Sequence, residues 1–381
     1  MNSSHVPALT GIRAIAARGV FFGHVLHQHC TGALSILHYG WIGVNVFFAL
    51  SGYLFYHLYV DSLDNNTFSW KNYASKRFAR IYPLTTLAVL VSVVAMSFSF
   101  EALDVLSHIT LLHGFFPQYR FSINPPLWTL TVEICFYALA PLAIVTIASI
   151  FRGRAAHIAQ QPTRWSNTQL AITALVVWVL MVGSCKGLSL VYQNWVFYFT
   201  GVWDNLADRV TIVGRLADFV AGIVVAAYAR SAGKSKLGGD AFVLVGATII
   251  TLSILFTEAN GGEIQVGQHK LADLVFPSIA MGASFLIMGL HKGGIVAKLL
   301  ASKTMVLLGD ISFGLYVLHY LSVPGAAKSA VALQEYLESI GIHYVAASLI
   351  NYAAFSVLAW LSLVFYEQPL RRVRKFTHVA S

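Results

Sequence analysis

The sequence predicts an all-α, polytopic integral membrane protein with about ten transmembrane helices and both termini cytoplasmic, and three observations predict it. Of the 381 residues, 57% are hydrophobic and only 11% charged, with a mean hydropathy of +0.68. A water-soluble globule of this length does not have that balance. The apolar residues fall into stretches long enough to cross a bilayer, roughly 9–29, 40–60, 81–100, 127–150, 168–186, 212–229, 241–257, 272–290, 304–323 and 344–366. Basic residues gather between alternate stretches, as they do in cytoplasmic loops.

The first stretch carries the most informative pair. The Met-Asn-Ser-Ser-His start has no basic n-region, and Arg13 and Arg18 interrupt what would be a signal-peptide core, so 9–29 reads as a retained helix. Arg13 and His24 are eleven residues apart, which places them within about 20° of one helix face and roughly 16 Å apart along its axis. A cation near one mouth and an imidazole deep in hydrocarbon are costly, and such groups line a polar pathway or site. The alternative is that His24 only hydrogen-bonds a neighbouring helix.

Later stretches add polar groups. Asn45 opens the second. Before the third, Ser75-Lys-Arg-Phe-Ala-Arg-Ile-Tyr-Pro83 sets Arg77 and Arg80 three apart on the side of Arg13, with Tyr82 following. Converging guanidiniums suit a phosphate-bearing ligand, although basic residues there also satisfy the positive-inside rule. The fourth stretch enters from outside at Pro125-Pro126-Leu127-Trp128 and reaches Glu133 roughly 9 Å in, level with His24. That level suits either a base with its orienting carboxylate or a purely structural Glu–His pair. Arg215 and Asp218, three apart in the sixth stretch, are expected to pair with each other. His319, in the outer half of the ninth, either joins the His24 cluster or is a satisfied core histidine.

The loops set the sidedness. With the N-terminus inside, the inside loops and tail hold Lys71, Lys76, Arg77 and Arg80; Arg152, Arg154 and Arg164; Arg230, Lys234 and Lys236; Lys292, Lys298 and Lys303; and Arg371, Arg372, Arg374 and Lys375. The outside loops hold only Arg120, Lys186, Arg209, Lys270 and Lys328. The outside loops 101–126 and 187–211 are rich in aromatics, as re-entrant or interfacial segments are. A net charge of +9 distributed this way argues against a nucleic-acid partner. Three cysteines, Cys30, Cys135 and Cys185, form neither a disulfide framework nor a metal-ligand spacing; a Cys30–Cys185 bridge is sterically open because both lie near one face. There is no P-loop, no dinucleotide-binding glycine fingerprint and no Gly-x-Ser-x-Gly elbow.

Taken together, these segments resemble the integral-membrane acyltransferases of family three, which O-acylate cell-envelope and secreted glycans. Leu9-Thr-Gly-Ile-Arg13 with His24 is similar to the family's Arg-x10-His signature, and Gly43-Val-Asn-Val-Phe-Phe-Ala-Leu-Ser-Gly-Tyr53 to its second-helix motif. Arg77-Phe-Ala-Arg80-Ile-Tyr-Pro83 and Leu127-Trp-Thr-Leu-Thr-Val-Glu133 resemble its arginine and Trp-Ser-Leu-x-x-Glu motifs. Gly214–Gly222, Leu308–His319 and Tyr366-Glu-Gln-Pro369 look like the later ones, so the likeness covers nearly the whole chain. One departure is Asn45, where the family commonly has Asp.

The resemblance implies a single transmembrane acyltransferase domain over 1–381, with no appended soluble domain, in the bacterial inner membrane. It implies acyl-CoA, most simply acetyl-CoA, as donor co-substrate and no metal. A glycan or glycolipid supplies the acceptor hydroxyl within the lipid bilayer, with glycan-assembly enzymes or a soluble esterase-like protein as further partners. His24, Glu133 and Arg13 are the expected catalytic residues. Arg77, Arg80, Tyr82 and again Arg13 are expected to hold the donor, and Trp128, Asn45 and His319 to meet the acceptor. Rival readings of the same buried groups are a secondary transporter or flippase of glycolipid, and a transmembrane shuttle that loads an acyl group onto a partner acyltransferase.

Overall fold

The computed structural model describes residues 6–29, 32–65, 67–142, 167–200, 204, 206–231, 237–260, 269–324 and 328–370. The described residues are helical and contain no strand. In chain order the helices are α1 (Pro7–Val25), α2 (Ile42–Asp64), α3 (Trp70–Ala95), α4 (Ala102–Ile109), α5 (128–142), α6 (Asn167–Thr200), α7 (Ala207–Val210), α8 (Ile212–Ser231) and α9 (Gly239–Ala259). There follow α10 (His269–Lys292), α11 (Ile295–Leu300), α12 (Lys303–Asp310), α13 (Ser312–Leu318), α14 (Ser329–Ser339) and α15 (Tyr344–Ser362). Six helical segments among the described residues are long and apolar enough to cross a membrane: Ile36–Leu63, Trp70–Ala95, Ile212–Ala229, Gly239–Ala259, Leu274–Lys292 and Tyr344–Leu370. The chain is therefore an all-helical membrane protein.

Two expected boundaries differ. The stretch 304–323 is not one helix but α12 and α13, separated at Ile311; Gly309 there sits so close to Thr10 that a Cβ would overlap its carbonyl. The expected outside loop 187–211 is helical through Thr200, because α6 continues well past residue 186. Its aromatic run Trp195–Phe199 thus extends a helix. The Cys30–Cys185 bridge and the basic clusters at 152–164, 230–236 and 371–375 lie outside the described residues or side chains. Cys135 is a free thiol.

The chain divides into two compact units. The first comprises the described parts of Met1–Leu9, Val44–Phe68 and Val132–Ser302. Its α2 and α8 approach backbone to backbone: a Cβ on Gly222 would overlap the Ala49 carbonyl, and one on Gly52 the Phe219 carbonyl. Only glycine permits that approach. The contact is sealed by Phe219, whose ring lies 4.1 Å from Phe136 of α5 and 4.8 Å from Phe48.

The second unit comprises Thr10–Gly43, Ser69–Thr131 and the described parts of Lys303–Ser381. Phe21 of α1 is fully buried and packs edge-on against Tyr352 of α15, with ring centres 5.5 Å apart; Arg18 Nε donates to the Tyr352 hydroxyl at 2.8 Å. The segment 101–131 folds back along α3, since Tyr82, near the middle of that helix, reaches the carbonyl of Thr110 at 3.4 Å. Asn124 then donates to the carbonyl of Val317 at 3.0 Å, and Thr129 meets the Tyr316 hydroxyl at 3.0 Å, so the 101–131 segment grips α13.

Candidate active site

His24 lies in the last turn of α1, and His319 caps the C-terminus of α13. Because α13 ends at Leu318, its C-terminal end, rather than a helix flank, presents His319. The two rings are nearly parallel, with centres 5.2 Å apart, and His24 Nδ1 stands 2.9 Å from His319 Nε2. Proton positions follow from the partners. His319 Nδ1 is 3.0 Å from the carbonyl of Leu315, which can only accept, so Nδ1 carries the hydrogen. In a neutral His319, Nε2 is then the acceptor, and His24 must donate through its own Nδ1. His24 Nε2 is left with its lone pair. The backbone of α13 thus selects, through His319, the tautomer in which His24 serves as a base.

A cavity of about 380 Å³ opens beside this pair, wholly within the second unit, and His24 and Tyr320 line it. The Tyr320 ring lies 4.7 Å from that of His24. The cavity's other walls come from the turn after α1, with His27, Gln28 and His29, and from α14.

The expected donor-binding residues also belong to the second unit. Ser69 caps α3 by accepting from the backbone N–H of Asn72 at 3.3 Å, fixing the helix start about two turns before Lys76 and Arg77. The Arg77 guanidinium stands 5.5 Å from the centre of the buried Tyr73 ring, which holds the side chain in place. Arg77, Arg80 and Arg13 are all half-buried. Tyr82 stacks on Phe78 at 4.4 Å besides bonding Thr110. Trp128, half-buried, begins α5.

The remaining expected residues sit in the first unit. Glu133 accepts from Ser51 at 3.0 Å and from the Tyr137 hydroxyl. Glu133 and His24 belong to different units, so their pairing stays a proposal. Arg215 and Asp218 do pair, at 3.6 Å. Asn45, fully buried, donates its amide to the other Asp218 oxygen at 2.7 Å. An aspartate at 45 would set two carboxylates against each other there, so asparagine suits a neighbouring acid. Asn45 is thus tied into a buried network.

Sequence reasoning left His319 undecided and missed the wall formed by α14, whose residues lay inside a stretch read as an outside loop. The signal was present in Gln334, Glu335 and Glu338, whose i, i+1, i+4 spacing puts polar groups on one face of a short helix.

A family model described as an acyltransferase domain matches residues 6–366. The chain is 22% identical to the peptidoglycan O-acetyltransferase OatA of Listeria monocytogenes over 97% of its own length and 56% of that protein's. It is 26% identical to the acyltransferase MdmB of Streptomyces mycarofaciens, over 84% of its own length and 79% of the other. The chain thus spans little more than half the length of the peptidoglycan enzyme. No solved structure matches.

Proposed function

The chain belongs to the acyltransferase 3 family, and from that premise we propose that it moves an acetyl group from cytoplasmic acetyl-CoA to a hydroxyl of a cell-envelope or secreted glycan or glycolipid. In this reading ten spans cross the bacterial inner membrane with both termini inside. Arg77 and Arg80, with Arg13 one turn into the bilayer, receive the phosphates of the donor. The pantetheine arm follows the face of α1 that carries Arg13 and His24.

The observation that carries the chemistry is the chain of contacts from the Leu315 carbonyl through His319 to His24, which leaves the lone pair on Nε2 of a histidine that lines the cavity. An acceptor hydroxyl there attacks the thioester carbonyl carbon. Its proton passes to His24 Nε2, the C–S bond breaks, and the imidazolium returns the proton to the CoA thiolate, so that an O-acetyl ester and CoA-SH leave. Positive charge on His24 in the transition state strengthens its bond to His319. Glu133 is assigned the role of stabilising that charge. Proposed partners are the bilayer, the glycan acceptor, and glycan-assembly or soluble esterase-like proteins.

The test is incubation of the detergent-purified protein with radiolabelled acetyl-CoA. Saturable binding that weakens in Arg77→Ala, and label carried onto a glycoside in alkali-labile form, are the expected results. No binding of acetyl-CoA or of longer acyl-CoAs would sink the reading.

A further inference from the structure

The cavity beside His24 has a chemistry of its own. Its far wall is α14, which presents Val331, Gln334, Glu335 and Glu338 from one face. That helix is anchored from behind: Ala330 is fully buried, and the Asn351 amide donates to its carbonyl at 2.7 Å. The wall is therefore held at a fixed place relative to α15.

Hydrogen-bond accounting shows what the wall lacks. The Gln334 side chain is 2% exposed and gives its amide N–H groups to Glu338 at 2.6 Å and to the carbonyl of Tyr344 at 3.0 Å. Its Oε1 is buried with no partner. Turning the amide over would face oxygen against oxygen at both contacts, so the orphan is an acceptor. Glu338 also meets His29 Nε2 at 3.1 Å, and that imidazole is stacked on the Tyr344 ring at 4.6 Å. Glu335 stands exposed at the rim. Glu338 thus already has two donors, and what the lining leaves open is the Gln334 oxygen and the exposed Glu335 carboxylate; besides His24, the basic side chains among the described lining residues are His27 and His29, with neither lysine nor arginine.

An occupant of such a cavity has to bring donors and no negative charge. Sugar hydroxyls are donors in excess, and a pyranose ring also has an apolar face for Tyr320. An anionic sugar, by contrast, would be set against the Glu335 and Glu338 carboxylates, with the His29 imidazole already committed to Glu338.

We propose that the α14 wall, through Gln334, Glu335 and Glu338, is the acceptor subsite and that it selects hydroxyl-rich saccharides lacking a negative charge. The proposal rests on the transferase reading of His24 and adds the class of acceptor to it. Selection follows from the Gln334 oxygen left without a donor and the exposed Glu335, and from like charge against anions. A donor from the sugar reaches Gln334 Oε1 when the side chain shifts toward the cavity, which removes the orphan.

Methyl glucoside and methyl glucuronide, equal in size and differing by one carboxylate, make the test. With the purified full-length protein and acetyl-CoA, the expected kcat/KM favours the glucoside by about tenfold or more. Glu335→Gln and Glu338→Gln, which keep acceptors and remove charge, should narrow that preference by admitting the glucuronide. Gln334→Leu should raise KM for the glucoside up to about tenfold with kcat retained, the loss of one neutral hydrogen bond. Equal use of the two glycosides, or a preference unmoved by both glutamate variants, would overturn the proposal.

Saturation-transfer NMR with the same two glycosides reads occupancy without turnover. If acetyl-CoA proves not to be turned over, the transferase reading fails, yet glucoside binding that the glucuronide neither matches nor displaces would still uphold the subsite. Absence of binding by both glycosides would overturn it.

Discussion

Replacing His319 by alanine isolates the part this residue plays through His24. The contact to be lost is the bond from His24 Nδ1–H to His319 Nε2, 2.9 Å long. While His24 is neutral such a bond has a net worth of about 1 kcal/mol, and when His24 becomes imidazolium it is charge-assisted and worth up to about 3 kcal/mol. Only the difference, about 2 kcal/mol, stabilises the transition state over the ground state. At 1.36 kcal/mol per tenfold, His319→Ala should lower kcat by about thirtyfold, with the donor KM unchanged. His319→Gln supplies a carbonyl oxygen as acceptor and should recover part of the loss. The assay is steady-state acetyl transfer by protein that elutes as the wild type does on size exclusion. A His319→Ala kcat within about twofold of wild type would refute the tautomer argument, because the bond would then be equally strong in both states.

Arg77→Ala should raise the donor KM by about 10–100-fold with kcat kept, the value of one charge-assisted bond to phosphate; acetyl-CoA titrations check it, and a kcat effect alone would contradict a phosphate role. Gly222→Ala should destabilise the first unit by about 1–3 kcal/mol or more, since its methyl would overlap the Ala49 carbonyl, and thermal unfolding in detergent should show a drop of several degrees. In the 101–131 segment, burial pushes the pKa of His113 well below 6.5 and that of His108 down as well, and their rings stack at 3.9 Å. The unfolded chain therefore binds protons below pH 6.5 that the folded segment refuses, so stability present above that pH falls as the medium is acidified. Proteolysis of the segment should accelerate between pH 7 and about 5, less so in His113→Phe, and a pH-independent rate would contradict this.

Much of the fold was legible because a membrane span is a long apolar run with a backbone satisfied internally. The α1 pair Arg13 and His24 stood out for the same reason, as polar groups where hydrocarbon was expected. What escaped was the breaking of 304–323 into α12 and α13, since apolar runs look alike whether continuous or not; only packing reveals that Gly309, beside the break, lies against the Thr10 carbonyl. Likewise α14 is too short and too polar to announce itself as more than a loop, although its face closes the cavity. The glycines of the second-helix and Gly214–Gly222 motifs were visible as letters, but only packing reveals that Gly52 and Gly222 let α2 and α8 touch.

His24 as the base is the central claim, and single-turnover release of CoA from acetyl-CoA by purified His24→Ala protein in the presence of a glycoside tests it most directly. The expected rate is lowered by about 10²–10⁴-fold, with acetyl-CoA binding retained and the protein still folded in the membrane fraction. Near-normal turnover by His24→Ala would mean that another group is the base.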